Sequence, residues 1–440
     1  MLELTSRRQS SNCEGASRRD FLKVGTLGLG TMGLGAMSLP ALLQARAAAS
    51  ASGKPVKETS VVWLWLSGGP THVETFDPKL TAPSEYRSTT GEVATSIPGV
   101  TIGGTLPQIA SVADKMALVR SFAHTNSGHG GGTHYVMTGY DNRTVDNGGV
   151  PSRPGYGSIL ARVRGPSNVA TGIPTYVQFG GIRQGGGPAW LGAAYAPFDQ
   201  DGQARKSMTL NMPEDHFNDR RNLLTSLDGA KRSVEASDAA QGMKKFEQQA
   251  YNLVLGSATK AFDIQKEDAK TRERYGKGLG EQMLAARRLC EAGCGFVTVQ
   301  YGGWDMHGNI QRSMQQRSPQ LDQAVAAFVN DVAERGLTDN ILLVISGEFG
   351  RTPRVNRNAG RDHWAPLSTL AFSGGGLRMG QVVGESASKV DVPGTKPIGP
   401  QDLMATIFHV LGIDPHLQFM SPSGRPVYML EKGQPIAELV

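Results

Sequence analysis

Cysteine is scarce in this 440-residue chain: there are three, at Cys13, Cys290 and Cys294. So few cannot build a disulfide-stapled scaffold. Cys290 and Cys294 sit four apart in LCEAGCGF, at a helix-to-strand junction. That pair leaves open a disulfide in an exported protein or two buried thiols, and is a weak metal signal alone. Charge of one sign is scarce too. The formal +6 comes from 45 Lys/Arg against 39 Asp/Glu, and the first 47 residues hold six of the former and three of the latter. The remainder, 39 against 36, is nearly neutral. No basic stripe remains to recognise nucleic acid. A clean membrane span is missing as well. The run at 24–43, VGTLGLGTMGLGAMSLPALL, approaches spanning length but carries five glycines, which make a poor stable helix. Apolar residues make up 39% beside 56 Gly, which predicts a core wrapped in long loops.

What is present at the N-terminus is a leader. SRRDFLKVG at 17–25 pairs Arg18 with Arg19, the weakly apolar run follows, and QARAAAS offers cleavage after Ala47 or Ala49. Residues 1–49 resemble a twin-arginine export signal. The resemblance implies the twin-arginine translocation machinery as a partner, a periplasmic or cell-surface location, and no stable membrane span after cleavage.

Beyond the leader, strands and helices alternate. ETSVVWLWLSGGP (58–70), the apolar stretch Met116–Phe122, IPTYVQFGG (173–181), FVTVQYGGWD, NILLVISGEFG and PLSTLAFSGGG read as strands. THYVMTGY, PGYGSILARVRG, KFEQQAYNLVLGS, LGEQMLAARRLCEAG, PQLDQAVAAFVNDVAERG and QDLMATIFHVLGI carry helical spacing. Residues 182–240, Gly-rich and polar, read as an insertion. A short strand is predicted at PVYML in the C-terminal tail. Alternation of this kind predicts an α/β fold with a mostly parallel sheet covered on both faces.

The chemistry collects after the strands. The first strand leads to His72, Glu74 and Asp77. The 116–122 strand leads to His124, Ser127, His129, Thr133 and His134. YGGWDMHGN at 301–309 delivers Asp305 and His307. SGEFGRTP delivers Glu348 and Arg351, and GRDHW delivers Arg361, Asp362 and His363. Six of the nine histidines lie in these loops. Loops at the carboxyl ends of strands in an open α/β sheet converge on one crevice. Histidine with carboxylate there suits Zn²⁺ or a two-metal site.

LWLSGGPTHVETFDPK, YGGWDMHGN, SGEFGRTPRVN, GRDHWAPLSTLAFSGGGLRMGQVVGES and QDLMATIFHVLGID resemble the domain-of-unknown-function family 1501, related to the alkaline phosphatase and sulfatase superfamily. The likeness spans 58–430. It implies a central, mostly parallel mixed sheet sandwiched between helices, with metal at the strand ends. It also implies an exported hydrolase of a phosphate or sulfate ester, on a small molecule or glycan. The implied cofactor is a divalent metal, Zn first, with Mn, Ca or Mg also fitting. His72, Asp77, Asp305, His307, Glu348, Asp362 and His363 are its implied ligands. Arg351 or Arg361 is implied as an anion clamp, and His129 as part of the catalytic set. GHGGGTHYVMTG resembles the superfamily's nucleophile segment. Three departures stand out. Gly68-Gly69 replaces the Asp usual after the first strand, so that His72, Glu74 or Asp77 must substitute. Phe349 follows Glu348 where an Asp-His pair is usual. No Cys-x-Pro-x-Arg is present, which excludes formylglycine. Ser127, Thr133 or a water activated at the metal is left as nucleophile. The alternative is a non-catalytic periplasmic or cell-surface binding protein of the same fold.

Overall fold

The computed structural model describes residues 58–201 and 258–440. The leader, most of the 182–240 insertion and the KFEQQAYNLVLGS helix lie outside the described residues. Val56–Leu417 with Tyr428–Val440 form one compact unit, described below. Gln418–Val427 fall outside it; Gln418–Met420 belongs to a separate two-stranded ribbon with Pro426–Tyr428.

Ten strands and five helices position the site. The strands are β1 (Ser60–Leu66), β2 (Ala117–Val119), β3 (Tyr176–Phe179), β4 (Phe198–Asp199), β5 (Phe296–Tyr301), β6 (Ile341–Ser346), β7 (Gly350–Arg351), β8 (His363–Trp364), β9 (Leu370–Gly374) and β10 (Gln381–Val383). The helices are α1 (His129–Thr138), α2 (Tyr156–Arg164), α3 (Leu279–Glu291), α4 (Ile310–Glu334) and α5 (Pro400–Leu411). Eight strands form one sheet in the order β10-β2-β9-β6-β1-β5-β3-β4. All run the same way except β9, which is antiparallel to both β2 and β6. The sheet is thus mixed and mostly parallel, in an α/β fold.

The centre of the sheet follows from its residues. SVVWLWL in β1 is buried at every position, as a strand covered on both faces must be. Val62, Leu64 and Leu66 join a cluster with Leu284 and Leu289 of α3 and Phe328 of α4. On the other face Trp63 stacks on Tyr156 of α2, centroids 5.3 Å apart, and its indole N–H donates to Ser346 Oγ at 2.9 Å. Helix α1 begins four residues earlier than the pattern THYVMTGY suggests, running through His129 and three glycines, and stops at Gly139 in the left-handed region. Helix α4 also starts earlier, at Ile310, and contains Pro319. Among the described residues no helix is long and apolar enough to cross a membrane. Cys290 and Cys294 are buried and unbridged.

Candidate functional site

Gly68 and Gly69, directly after β1, have φ of +115° and +82°. A side chain at Gly68 would strike the backbone of Trp304 and Asp305, and one at Gly69 the ring of Phe349. The two glycines therefore let the loops after β5 and β6 close onto the end of β1. The loop after β5 is sewn to the 356–361 turn by Asn309 N–H to Asn358 O (2.9 Å), Ile310 N–H to Ala359 O (2.7 Å) and Arg361 N–H to Met306 O (3.0 Å). The β7–β8 ribbon pairs Arg351 with His363. Because β9 runs backwards, the segment leading into it returns to the same end of the sheet and brings His363 with it.

Four side chains meet there. Asp305 Oδ1 lies 2.9 Å from His307 Nε2 and 3.1 Å from His363 Nε2, and those two nitrogens are 3.1 Å apart. His129 Nε2 faces the other carboxylate oxygen, Oδ2, at 3.4 Å. Donor atoms of His129, Asp305 and His363 all lie within 4.8 Å of one another. Each imidazole is held from behind. His129 Nδ1 contacts Glu348 Oε1 at 2.9 Å, His307 Nδ1 contacts Asp362 Oδ1 at 2.8 Å, and His363 Nδ1 contacts the Ser127 carbonyl at 2.9 Å. Carboxylates and carbonyls accept, so each Nδ1 carries the hydrogen. Each Nε2 is thereby turned toward Asp305, where it offers a lone pair when its ring is neutral.

This packing tests whether a metal fits. Two neutral Nε2 lone pairs 3.1 Å apart would repel each other and the carboxylate, two protonated rings would oppose their N–H groups, and one proton between the rings satisfies that pair alone. A shared cation satisfies both nitrogens and the carboxylate together. A tetrahedral ion with ligands at about 2.0–2.1 Å separates its donors by roughly 3.3 Å, close to the observed spacings. Imidazole nitrogens plus one carboxylate are a donor set for Zn²⁺ or a similar ion.

The electrostatics are set by the neighbours. Burial works to raise Asp305, but hydrogen bonds from Arg351 and His363 outweigh it and hold its carboxyl far below the usual range. The Glu348 hydrogen bond raises His129. Burial lowers His363, and the His307 hydrogen bond lowers Asp362.

The other candidates sit elsewhere or act differently. Glu348 is buried and reaches the cluster through His129, its Oε1 also accepting from Gly68 N–H at 2.8 Å. Asp362 likewise stands behind His307. Arg351 is not an exposed clamp: it is 0% exposed, donating to Asp305 Oδ1 (2.5 Å), to the carbonyls of Gly69 (2.9 Å) and Arg361 (3.1 Å), and to that of Gly68. Arg361 is also 0% exposed and pairs with Glu74 at 2.7 Å. His72 and Asp77 are not brought to the cluster. They line a small separate cavity with Arg120 and Thr369, His72 Nε2 donating to Val390 O at 2.9 Å and Asp77 facing Arg120 at 3.6 Å. Glu74, the third substitute for the missing Asp, is occupied by Arg361. Ser127 Oγ accepts from Ala365 N–H at 3.1 Å, and Thr133 is buried one helical turn beyond His129.

Sequence reasoning missed three contributors. Asn356 donates to both Asp362 Oδ1 (3.1 Å) and His307 O (3.0 Å). The Ser127 carbonyl, rather than its hydroxyl, orients His363. Phe349 packs its ring against His129 and His363, centroids 5.2 and 4.3 Å away. Only Phe349 had a sequence signal, standing where a ligand was expected.

The family model described as "Protein of unknown function (DUF1501)" matches residues 58–440. The chain belongs to this family. A comparison with curated proteins gives no match. Among solved structures, the chain is similar to the PsFucS1 sulfatase from Pseudoalteromonas sp. (12% identity, TM-score 0.39, covering 84% of this chain and 70% of that one). It is also similar to the phosphonate monoester hydrolase SpPMH from Silicibacter pomeroyi (14%, 0.33, 81% and 74%). A third is the lipoteichoic acid synthase LtaP from Listeria monocytogenes (10%, 0.34, 86% and 75%).

Proposed function

We propose that this DUF1501 protein is an exported, metal-dependent hydrolase of phosphate or sulfate esters. The observation that carries the reading is the convergence of three Nε2 atoms on one carboxylate, each imidazole fixed from behind by its own acceptor. Surface ion pairs do not require that arrangement; a metal centre does. Asp305, His307 and His363 would hold a divalent cation, zinc foremost, while His129 faces the other oxygen of the Asp305 carboxylate. Bound there, the cation supplies Lewis-acid stabilisation of the charge that builds on the transferring group. The chain does the rest. Asp362 and the Ser127 carbonyl fix the tautomers of His307 and His363. Glu348 fixes that of His129. Arg351 anchors Asp305 to the Gly68-Gly69 turn. Export by the twin-arginine route, with a small-molecule or glycan ester as substrate, completes the reading.

The test is elemental analysis of purified protein beside a His307→Ala, His363→Ala double variant, with p-nitrophenyl phosphate and p-nitrophenyl sulfate as probes. Bound metal lost in the variant, together with metal-dependent release of p-nitrophenol, is expected. A folded wild type that refuses Zn²⁺, Mn²⁺, Ca²⁺ and Mg²⁺ would sink the reading. One observation favours the competing binding-protein reading: among the described residues no Ser or Thr hydroxyl hydrogen-bonds to Asp305, His307, His363 or Glu348. Tight retention of a sulfated or phosphorylated glycan without product would support it.

A further inference from the structure

We propose that His129 is the nucleophile of this site, taking the phosphoryl group of a phosphate monoester onto Nε2. The inference rests on the ester-hydrolase reading and narrows it to phosphoryl transfer. Three observations carry it. First, His129 and Glu348 form a carboxylate–imidazole dyad: Glu348 is buried and immobilised by Gly68 N–H (2.8 Å), and accepts from His129 Nδ1–H at 2.9 Å. A base oriented in this way presents a fixed Nε2 lone pair. Second, His129 stands apart from the other two imidazoles. His307 and His363 crowd onto Asp305 Oδ1, whereas His129 faces Oδ2 at 3.4 Å and is about half exposed. Third, among the described residues the hydroxyl candidates have no base. Ser127 Oγ is engaged by Ala365 N–H, and Thr133 is buried inside α1. His129 is also the first residue of the ten-residue helix α1, and the amides of His129 and Gly130 take no acceptor among the described residues, while that of Gly131 takes Asp146 Oδ1 at 2.9 Å. Free amides beside the nucleophile suit phosphoryl oxygens.

The step balances. The Nε2 lone pair forms the N–P bond as the ester P–O bond breaks, and the alkoxide leaves with a proton from solvent. The positive charge that develops on the ring is offset by Glu348. Water then attacks phosphorus, the N–P bond breaks, its electron pair returns to Nε2, and inorganic phosphate departs. The net change is ester plus water to alcohol plus phosphate.

The experiment is rapid quench of the metal-loaded full chain with p-nitrophenyl phosphate, followed by peptide mass spectrometry in alkali and in acid. A phosphoryl increment on the peptide carrying His129, stable in alkali and lost in acid, is expected. His129→Gln should abolish it and lower turnover by roughly 10⁴-fold or more, with unfolding midpoint and metal content unchanged. Free imidazole should restore turnover to His129→Ala. An acid-stable adduct on Ser127 or Thr133, or inversion at a chiral phosphorus, overturns the assignment but leaves the hydrolase reading standing. Loss of metal from His129→Gln overturns it in favour of a ligand role. No turnover of any phosphate ester by the metal-loaded protein overturns both.

Discussion

The buried Arg361–Glu74 pair offers the sharpest test of what holds the site together. Both side chains are 0% exposed. Arg361 Nη2 and Nε donate to Glu74 Oε1 at 2.7 and 3.2 Å, and its remaining donors reach the carbonyls of Thr352 (3.1 Å), Arg87 (3.0 Å) and Pro353. Glu74 also accepts from Thr71 Oγ1 at 2.5 Å and Thr89 N–H at 3.2 Å. The pair joins the loop after β1 to the turn that carries Asp362 and His363. Glu74→Ala would leave a guanidinium charge buried with only carbonyl partners, at a cost of about 3–5 kcal/mol. At about 2.1 cal/mol/K of unfolding entropy per residue, a domain spanning 58–440 moves its unfolding midpoint by only roughly 1 °C per kcal/mol, so a fall of roughly 4–6 °C is expected. Glu74→Leu combined with Arg361→Met removes both charges at similar volume and should recover most of that loss, since apolar replacement of a buried pair is often neutral. The assay is thermal and urea denaturation of the wild type, the single variant and the double variant. A Glu74→Ala protein within about 1 kcal/mol of wild type, or a double variant less stable than the single, would refute the reasoning.

Three further outcomes are expected. Gly68→Ala forces a side chain into the positive-φ region and against the Asp305 backbone, so it should weaken metal binding measured by titration; wild-type affinity would show that the turn does not position Asp305. Asp362→Ala removes the acceptor behind His307, and because Asp362 is exposed, metal affinity should fall by about 10–100-fold with little change in thermal midpoint. Stability should also fall in mild acid. Burial pushes His124 down to about 4 and lowers His72 and His134, so the unfolded chain binds more protons than the folded one below its unfolded value. The contribution is fully present above pH about 6.5 and drains away toward pH about 4, which corresponds to about 3 kcal/mol from His124 alone. Urea titrations across that range should flatten in His124→Phe, and an unchanged slope would show that His124 titrates freely when folded.

Much of this was legible in the residues. Six apolar positions in a row at β1, Val61–Leu66, require burial on both faces, which only a central strand provides, and the alternation with amphipathic helices required a mostly parallel sheet. Asp305, His307 and His363 were legible as a set because residues after such strands emerge at one end of the sheet. The reversal of β9 was not legible, since strand direction depends on which neighbours pair, and that reversal is what returns His363 to the cluster. Nor could one chain of letters sort ligands from supports. Glu348, Asp362 and Arg351 look like ligands or clamps by type, yet each stands one contact behind, because burial and the direction of a side chain are properties of packing. His72 and Asp77 follow the first strand as closely as the structure allows, but the Gly68-Gly69 turn lets the β5 and β6 loops close over the strand end and leaves those two side chains facing Arg120 and Val390. Local sequence determined the elements and the chemical types available. The tertiary structure alone decided which imidazoles share one carboxylate, because those residues lie up to 234 positions apart (His129 to His363) and meet only when the sheet closes.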